Sequence, residues 1–472
     1  MDVSRRRFFA ATLILGATAT GCTARSAADD ASASSRATGS ATTGSGAVAV
    51  DTAVKGTVFD PGSVHSIAVE VDDAALKKAL QAYVDSGDKQ WVTVSVTIDG
   101  TRFDKAGLKL KGNSSLRGVS ADSDPRTLPW RIRLDKYVDG QNLDGYTDFT
   151  VRANSSQTSL NEAVCLDLLR DAGLASEDAV QTRFSVNGSE EVLRLTVQNL
   201  DEKWVAGNFP DAGKDSVLYK AEADGKWTWQ GEDADYSASF EIEAGKDGQY
   251  APLIALLNLV NNGTADQIAE KLPPMLDIDE FAKYLAFEDL VDNFDDIDGP
   301  GNNSYLFWDS ATQKFTVVAW DHNSAFGSRP GGQGGAGFPG PGQGQGGAGQ
   351  GQGGAGQGGE PPSGMVLPTG GQGAPGGQGA PGGQGGPGGQ NGGAGPGGGD
   401  NPLVKVFKAN TDWSARYDQS LTDLRARLYT SGKLGQVVDG WTAVLTSDAS
   451  DLVSSATITS DADAIRKYAT AS

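Results

Sequence analysis

Histidine is scarce in this chain of 472 residues, which contains only His65 and His322. A Ser-His-Asp or Cys-His catalytic set requires a histidine beside its nucleophile, and zinc sites need several His or Cys ligands. With two histidines and two cysteines in the whole sequence, both kinds of site are nearly excluded. Any metal or acid-base chemistry must therefore use carboxylates and amides, whose oxygen atoms suit hard cations such as magnesium or calcium.

Cysteine is equally rare, and Cys22 falls within an N-terminal export signal described below. Cys165 would then be the free thiol of the mature chain, and one cysteine cannot form an internal disulfide. Cys165 lies among apolar residues of a predicted helix, which favours a buried, unreactive thiol.

A surplus of basic residues is also missing, because the formal net charge is -21. Nucleic-acid binding requires a concentrated basic surface, so no nucleic-acid partner is expected. Acidity of this kind most often serves solubility. Beyond the N-terminal segment, no apolar stretch is long enough to cross a bilayer.

The N-terminal segment SRRRFFAATLILGATATGC has the three parts of an export signal: a basic head, a short apolar run and a small-residue exit. Its paired arginines resemble a twin-arginine signal, and ATGC resembles a lipobox in which Cys22 is lipidated. We therefore expect an exported protein, held by a lipid anchor at the outer face of the cell membrane. The alternative is an ordinary signal peptide that a general peptidase removes.

Composition divides the chain into five segments. Residues 22–50 are rich in Ser, Ala, Thr and Gly without apolar periodicity, which is typical of a flexible tether. Beyond Gly327 a Gly/Gln/Pro/Ala tract buries too little apolar surface to offset chain entropy. We expect a signal peptide (1–21), a linker (22–50), the first part of a domain (51–327), a disordered insertion (328–400) and the C-terminal helices of that domain (401–472).

Hydrophobic periodicity predicts strands through most of the first part, with hairpins on Asp99-Gly100 and Asn187-Gly188. Two helices, AALKKALQAYVDS and SLNEAVCLDLLRDA, each end at a glycine. The second part is mostly helical, apart from the strands SYLFWD and KFTVVAWD. This order predicts an α+β protein with a sheet-rich first part, a helix-rich second part and a two-lobed arrangement.

The segment from Asp292 to Ser310, DNFDDIDGPGNNSYLFWDS, contains five carboxylates. Such clusters repel themselves unless a cation, backbone donors or water compensates them. An EF-hand loop is excluded, because placing Gly299 at its sixth position puts Phe294 and Tyr305 where carboxylates are required. A looser calcium site remains open.

Magnesium uses few protein ligands and completes its shell with water and phosphates. An amide from Asn303 and a carboxylate from Asp321, at the start and end of consecutive strands, suit such a site. Asp295 precedes Asn303 by eight residues and could accept a proton from an attacking hydroxyl. This order follows the logic of a kinase catalytic loop and metal aspartate.

Four segments occur in a distinctive order along the chain: VTIDGTRFDKAGLKLKGNSSLRG, FSVNGSEEVLRLTVQNLDEKW, NFDDIDGPGNNSYLFWD and FTVVAWDHNSAFG. Together they resemble the CotH family, the spore-coat kinases and their actinobacterial relatives. The resemblance runs from roughly residue 55 to 327 and again from 401 to roughly 440. It implies an atypical, two-lobed protein-kinase-like fold that transfers the γ-phosphoryl group of ATP, with a divalent metal, to protein hydroxyls.

By position, Asp295 resembles the family's catalytic-loop aspartate, Asn303 its metal asparagine and Asp321 the metal aspartate of its Trp-Asp motif. KLKGNSS resembles the loop near the phosphates, where Lys111 is the candidate. Each residue also has a structural interpretation. Asp295 would be one more solvated loop acid, Asn303 would cap the turn before its strand, and Asp321 would have a structural role alone at the end of its strand.

On the helix that follows, Glu162 would orient a basic residue such as Lys111 or Arg133. Lys111 and Glu162 have the alternative of being ordinary surface residues. The chain departs from the family pattern in three places. Gln198 stands where relatives often carry a glutamate, and Asn323 where a second acid is frequent. The Gly/Gln tract enters just after the metal motif, where a conventional kinase has its activation loop.

The resulting hypothesis is a CotH-like phosphotransferase that uses ATP and magnesium, or manganese, and acts on protein hydroxyls at the cell envelope. Its partner would be a protein substrate or an envelope protein. A non-catalytic, lipid-anchored surface protein, an adhesin or envelope-assembly factor with the same fold, is the alternative. A calcium-stabilised module is the third possibility.

Overall fold

The computed structural model describes residues 57–223, 225–299, 303–328 and 401–470. All of these residues belong to one compact unit, Thr52–Ser472. The predicted signal peptide with Cys22, the linker and nearly all of the predicted insertion lie outside them.

Seven strands of the first part form a closed barrel in the order β1-β2-β3-β4-β5-β7-β6. Neighbouring strands are antiparallel except where β1 pairs with β6, and this parallel pairing closes the barrel. Inward-facing apolar side chains such as Val96, Ile132 and Phe149 are fully buried in its core. The strands are β1 (His65–Glu70), β2 (Val92–Ile98), β3 (Thr101–Leu110), β4 (Trp130–Arg133), β5 (Asp148–Val151), β6 (Ala179–Val186) and β7 (Val192–Gln198).

Both predicted hairpins are confirmed. Asp99 and Gly100 have φ values of 47° and 79°, and Asn187 and Gly188 have 51° and 69°. Two successive residues with positive φ match the twist of the flanking strands, and Asn, Asp and Gly tolerate this conformation best.

Three helices lie in the first part of the chain; α1 packs on the barrel core, whereas α2 and α3 contribute to a second core. Helix α1 begins after Asp72, whose side chain accepts a hydrogen bond from the Ala75 amide, and ends at Gly87 with φ 77°. Helix α2 ends at Gly173 in the same left-handed conformation and is almost entirely buried, as its apolar residues predict. The helices are α1 (Asp73–Ser86), α2 (Leu160–Ala172) and α3 (Glu202–Asn208).

A second sheet has the strand order β11-β10-β8-β9 and belongs to a separate, larger apolar core that also includes α2. The predicted strands SYLFWD and KFTVVAWD are confirmed as β10 and β11, whereas the sequence patterns did not predict β8 and β9. The strands are β8 (Val217–Ala221), β9 (Phe240–Ala244), β10 (Ser304–Asp309) and β11 (Lys314–Ala319).

Helices dominate the rest of the larger core. The α+β class is therefore confirmed, with most strands in the first part and most helices in the second. Within the described ranges, no helix combines the length and apolarity needed to cross a membrane. The helices are α4 (Ala251–Asn262), α5 (Ala265–Lys271), α6 (Ile278–Leu290), α7 (Pro402–Ala409), α8 (Thr411–Leu424), α9 (Lys433–Asp448) and α10 (Ser455–Arg466), with a π-helical turn at Arg425–Thr430.

Candidate functional site

The β10–β11 hairpin places Asn303 and Asp321 at the same end. Ser304 pairs with Ala319 in the antiparallel register, so Asn303, which precedes Ser304, lies opposite the segment that leads to Asp321. The tight turn of the hairpin is at the other end. An amide oxygen and a carboxylate are thus available at one edge of the second sheet.

Asp321 adopts a left-handed backbone conformation, with φ 64° and ψ 59°, and precedes a 3₁₀ turn at His322–Ser324. This conformation is uncommon for a residue with a side chain and persists where its surroundings enforce it. The turn is tied to α2, because Asn161 Nδ2 donates to the Asn323 carbonyl at 2.6 Å. Asn323 Nδ2 in turn donates to Asp321 Oδ1 at 2.8 Å. These contacts link the Asp321 carboxylate to the 3₁₀ turn and, through the turn, to α2.

Arg152 directly follows β5 and bridges two carboxylates. Its guanidinium donates to Glu162 in the first turn of α2, and its Nη1 lies 3.2 Å from Asp321 Oδ1. Glu162 is 1% exposed and Arg152 8%. Burial opposes the charge on Arg152, but Asp321 and Glu162 together raise the pKa of its guanidinium. Burial raises the pKa of Glu162 even though Arg152 opposes this effect.

The indole ring of Trp320 lies against two cations. Lys111 Nζ is 4.9 Å and Arg152 Cζ is 4.7 Å from the ring centroid, distances at which the ring quadrupole attracts a cation. Lys111 also donates to Asn199 Oδ1 at 2.6 Å. Burial is the main cause that lowers the pKa of Lys111 to about 7. Two basic groups therefore converge near Asp321, an arrangement suited to an anionic ligand.

The acidic loop, residues 292–299, follows α6 and folds tightly on itself. A Cβ atom at Gly299 would lie 2.5 Å from the Phe294 carbonyl oxygen and 2.6 Å from the Asp295 Cα, so this turn requires glycine. Asp295 is partly exposed. Burial, with a contribution from Glu288, raises the pKa of Asp296 to about 7.

A buried polar chain connects the acidic loop with the 3₁₀ turn. His322 Nε2 lies 3.1 Å from Glu288 Oε1, and the other carboxylate oxygen of Glu288 accepts from Asn293 Nδ2 at 2.8 Å. His322 is fully buried, and Glu288 is 1% exposed. Burial opposes the charge on the imidazole, but Glu288 overcomes it and raises the pKa of His322 to about 9.

A groove of about 710 Å³ borders the acidic loop. Its lining comes from the acidic loop, the 223–228 segment, the C-terminal end of α4 and helix α7, and includes Gly299, Trp227, Lys226 and Lys405. Lys111, Arg152 and Asp321 are not part of this lining.

Arg133 lies apart from the site. Its side chain is 42% exposed and its Nε donates to Asp135 at 2.8 Å. Among the described residues, the basic partner of Glu162 is Arg152, so the suggested pairing of Glu162 with Lys111 or Arg133 must be corrected. The reason is topological: β5, which the sequence patterns did not predict, ends beside α2.

Two other residues singled out in the sequence have structural contacts. Gln198, at the end of β7, is 5% exposed and accepts from the Asp178 amide at 3.4 Å. Cys165 is fully buried in α2, as predicted.

Sequence reasoning missed Arg152, Asn199 and the His322–Glu288 pair. Arg152 carried one usable signal, a charged residue directly after the apolar run FTV. Asn199 and Glu288 carried none, because isolated polar residues in a predicted strand or helix are commonplace.

Oxygen donors dominate the part of the site that could hold a metal. In the described parts of the chain, no group of three or more His, Cys, Asp or Glu side chains is arranged around a common point. A magnesium site with one carboxylate, one amide and water or phosphate oxygens is not such a group, so Asn303 and Asp321 fit magnesium better than zinc. Glu162 Oε2 is buried and has no hydrogen-bond partner among the described residues.

Comparison with curated proteins gave no match. The family model described as CotH kinase protein matches residues 108–451, which make up most of the chain. The matched range contains Lys111, Arg152, Glu162, Asp295 and Asp321. The chain therefore belongs to the CotH family.

Proposed function

We propose that this protein is a phosphotransferase that uses ATP and magnesium, or manganese, to phosphorylate protein hydroxyls. The observation that carries the proposal is the bridge formed by Arg152 between Glu162 and Asp321, with Lys111 against the same Trp320 ring. Family membership supports it independently. In this proposal the barrel forms one lobe of an atypical kinase-like fold, and the second sheet with the helices of the larger core, which include α2, forms the other.

Phosphoryl transfer depends mainly on positioning and on electrostatic stabilisation of the phosphates. Lys111 and Arg152 would bind phosphate oxygens, and Glu162 would orient Arg152 as an αC glutamate orients the strand lysine of a protein kinase. Because the Arg152 guanidinium already donates to Glu162 and lies 3.2 Å from Asp321, its contribution to phosphate binding would be mainly its positive charge.

Asn303 and Asp321 would hold the magnesium ion, which when bound would neutralise charge on the transferred phosphoryl group. The same Asp321 carboxylate accepts hydrogen bonds from Asn323 and pairs with Arg152. These two contacts keep the carboxylate oriented.

Asp295 would accept the proton from the attacking hydroxyl of the substrate. Gly299 lies close to the Asp295 backbone, since a Cβ atom there would be 2.6 Å from the Asp295 Cα, and this tight turn would help to position the carboxylate. The groove beside the acidic loop, with Lys226 and Lys405 in its lining, would admit the acceptor segment.

The envelope location of this activity is also part of the proposal and rests on the N-terminal sequence alone. An activity at the cell envelope requires a source of ATP, and this source is the first point to test. Export of a folded, nucleotide-loaded protein through a twin-arginine pathway would meet this requirement.

The direct test is transfer of ³²P from γ-labelled ATP with magnesium to protein. The purified protein should label itself or an added envelope fraction, and Asp321→Ala should abolish the label. Asp122→Ala is a matched control, because Asp122 is an exposed acid paired with Lys77 on the barrel surface. Equal labelling by wild type and Asp321→Ala would refute the assigned site.

Nucleotide-dependent stabilisation separates the enzyme from the non-catalytic alternative. At a nucleotide concentration about 100 times the dissociation constant, the free energy of unfolding should rise by about 2.7 kcal/mol. A non-catalytic surface protein should show no change with ATP and magnesium, and a calcium-stabilised module should respond to calcium alone.

A further inference from the structure

We infer that the hydrogen-bond chain His322–Glu288–Asn293 is a positioning device that fixes the loop carrying Asp295 relative to Asp321. This inference deepens the proposed function and rests on it for its catalytic meaning. Its structural content, the coupling of two chain segments, is testable separately.

Glu288 lies on α6 and has a partner on each side. One carboxylate oxygen pairs with His322 Nε2 at 3.1 Å, and the other accepts from Asn293 Nδ2 at 2.8 Å. His322 is adjacent in sequence to Asp321, and Asn293 is two residues before Asp295. A single buried carboxylate therefore contacts both segments that carry the proposed reacting groups.

The backbone reinforces this link. The Phe326 amide donates to the Val291 carbonyl at 2.6 Å, and the Gly327 amide donates to the Asp292 carbonyl at 3.3 Å. The segment after Asp321 thus runs alongside the start of the acidic loop. Gly327 has φ 63°, a backbone conformation that residues with a side chain rarely adopt, so this position favours glycine.

Because His322, Glu288 and Asn293 are buried, the hydrogen bonds between them hold the neighbouring backbone segments in position. His322 is fully buried, and its ring packs edge-on against Phe287 with centroids 6.2 Å apart. A buried carboxylate that loses one of its hydrogen-bond partners must find another, which pulls neighbouring groups out of place. Loss of the His322 donor should therefore disturb Asn293 as well as the turn after Asp321.

The chain offers a matched control in its other histidine. His65 is 1% exposed and its Nδ1 lies 2.7 Å from Asp99 Oδ2, so it is also a buried histidine paired with a carboxylate. It lies in β1 of the barrel, outside the site. A change at His65 should reproduce any general loss of stability without disturbing the acidic loop.

The experiment is amide hydrogen exchange on the full chain, compared for wild type, His322→Phe, His322→Gln and His65→Phe. His322→Phe keeps an aromatic ring but removes the donor to Glu288. We expect exchange in peptides covering residues 291–299 and 321–327 to accelerate at least tenfold in His322→Phe. In His65→Phe, these peptides should exchange as in wild type. Glutamine can place a side-chain N–H near the former Nε2, so His322→Gln should restore most of the protection.

Unchanged exchange in both peptides of His322→Phe, or the same acceleration in His65→Phe, would overturn the inference. If His322→Phe does not fold, Glu288→Gln serves instead, because it preserves volume and disturbs the same two hydrogen bonds. Binding of Mn²⁺ with ATP, followed by electron paramagnetic resonance, reports the proposed function separately. If wild type shows no Mn²⁺–ATP binding while exchange responds as expected, the proposed function fails and the coupling of the two segments stands.

Discussion

Replacing Arg152 by methionine should destabilise the protein strongly. The guanidinium is 8% exposed and neutralises Glu162, which is 1% exposed on α2. Removing one partner of a buried ion pair leaves an uncompensated charge and typically costs about 3–5 kcal/mol. Asp321 should add little to this cost, because its side chain is 25% exposed and water can solvate it. Methionine retains apolar contact with Trp320, so the loss is mainly electrostatic.

Urea unfolding, followed by tryptophan fluorescence, measures the effect as a change in the free energy of unfolding. Arg133→Met is the matched control, because Arg133 lies at the end of the neighbouring barrel strand β4 and also pairs with a carboxylate, that of Asp135. The Arg133 side chain is 42% exposed, so this ion pair is accessible to solvent. Exposed pairs contribute about 0–1 kcal/mol, so this control should unfold almost as wild type does.

A second substitution tests the assigned cause. In Arg152→Met/Glu162→Gln the buried group left behind is a neutral amide, which is cheaper to bury than a carboxylate. The double variant should therefore be more stable than Arg152→Met alone, with a coupling energy of about 1–3 kcal/mol. Equal costs for Arg152→Met and Arg133→Met, or no recovery in the double variant, would refute the proposed bridge.

Three further predictions concern other groups. Burial raises the pKa of Glu177 from 4.5 to about 7, so the folded state retains a proton that the unfolded state releases, and stability falls as pH rises through this window. In urea unfolding, the free energy of unfolding of Glu177→Gln should then equal that of wild type at pH 4.5 and exceed it by about 3 kcal/mol at pH 8. The same difference between the two proteins at both pH values would contradict this prediction. Lys111, with its pKa lowered to about 7, should be mostly neutral at pH 8.5 and charged at pH 6. Calorimetry of ATP binding in buffers of different ionisation enthalpy should therefore show that the protein takes up a proton at pH 8.5 but not at pH 6. In Lys111→Met this proton uptake should be absent. Gly299→Ala should place a Cβ within 2.6 Å of the Asp295 Cα and reduce ³²P transfer at least tenfold; undiminished transfer would show that Asp295 does not need this turn.

Local sequence patterns were enough to predict the hairpins and helices whose conformation depends on residues close together in the chain. Hairpins on Asp99-Gly100 and Asn187-Gly188 follow from residues that tolerate positive φ, and α2 follows from its apolar periodicity and terminal glycine. The strands β5, β8 and β9 are only four or five residues long, too short for alternation to distinguish them from loops. The parallel pairing of β1 with β6 joins residues more than a hundred positions apart, and no local signal encodes it.

The contrast between local patterns and contacts of distant segments also explains which site residues could be predicted from the sequence. Asp321 follows the apolar run FTVVAW, where a charged group must have a partner or a function, so the sequence by itself marks this position. Lys111 follows a strand that contains several charged residues, and only the family resemblance points to it. The partner of Glu162 is decided by barrel closure instead: the Arg152 amide donates to the Leu195 carbonyl of β7 at 2.8 Å, which fixes the end of β5 beside α2. A pairing set by contacts between distant strands cannot be obtained from spacing along the chain. The arginine that links Glu162 and Asp321 therefore becomes visible only once the barrel is assembled.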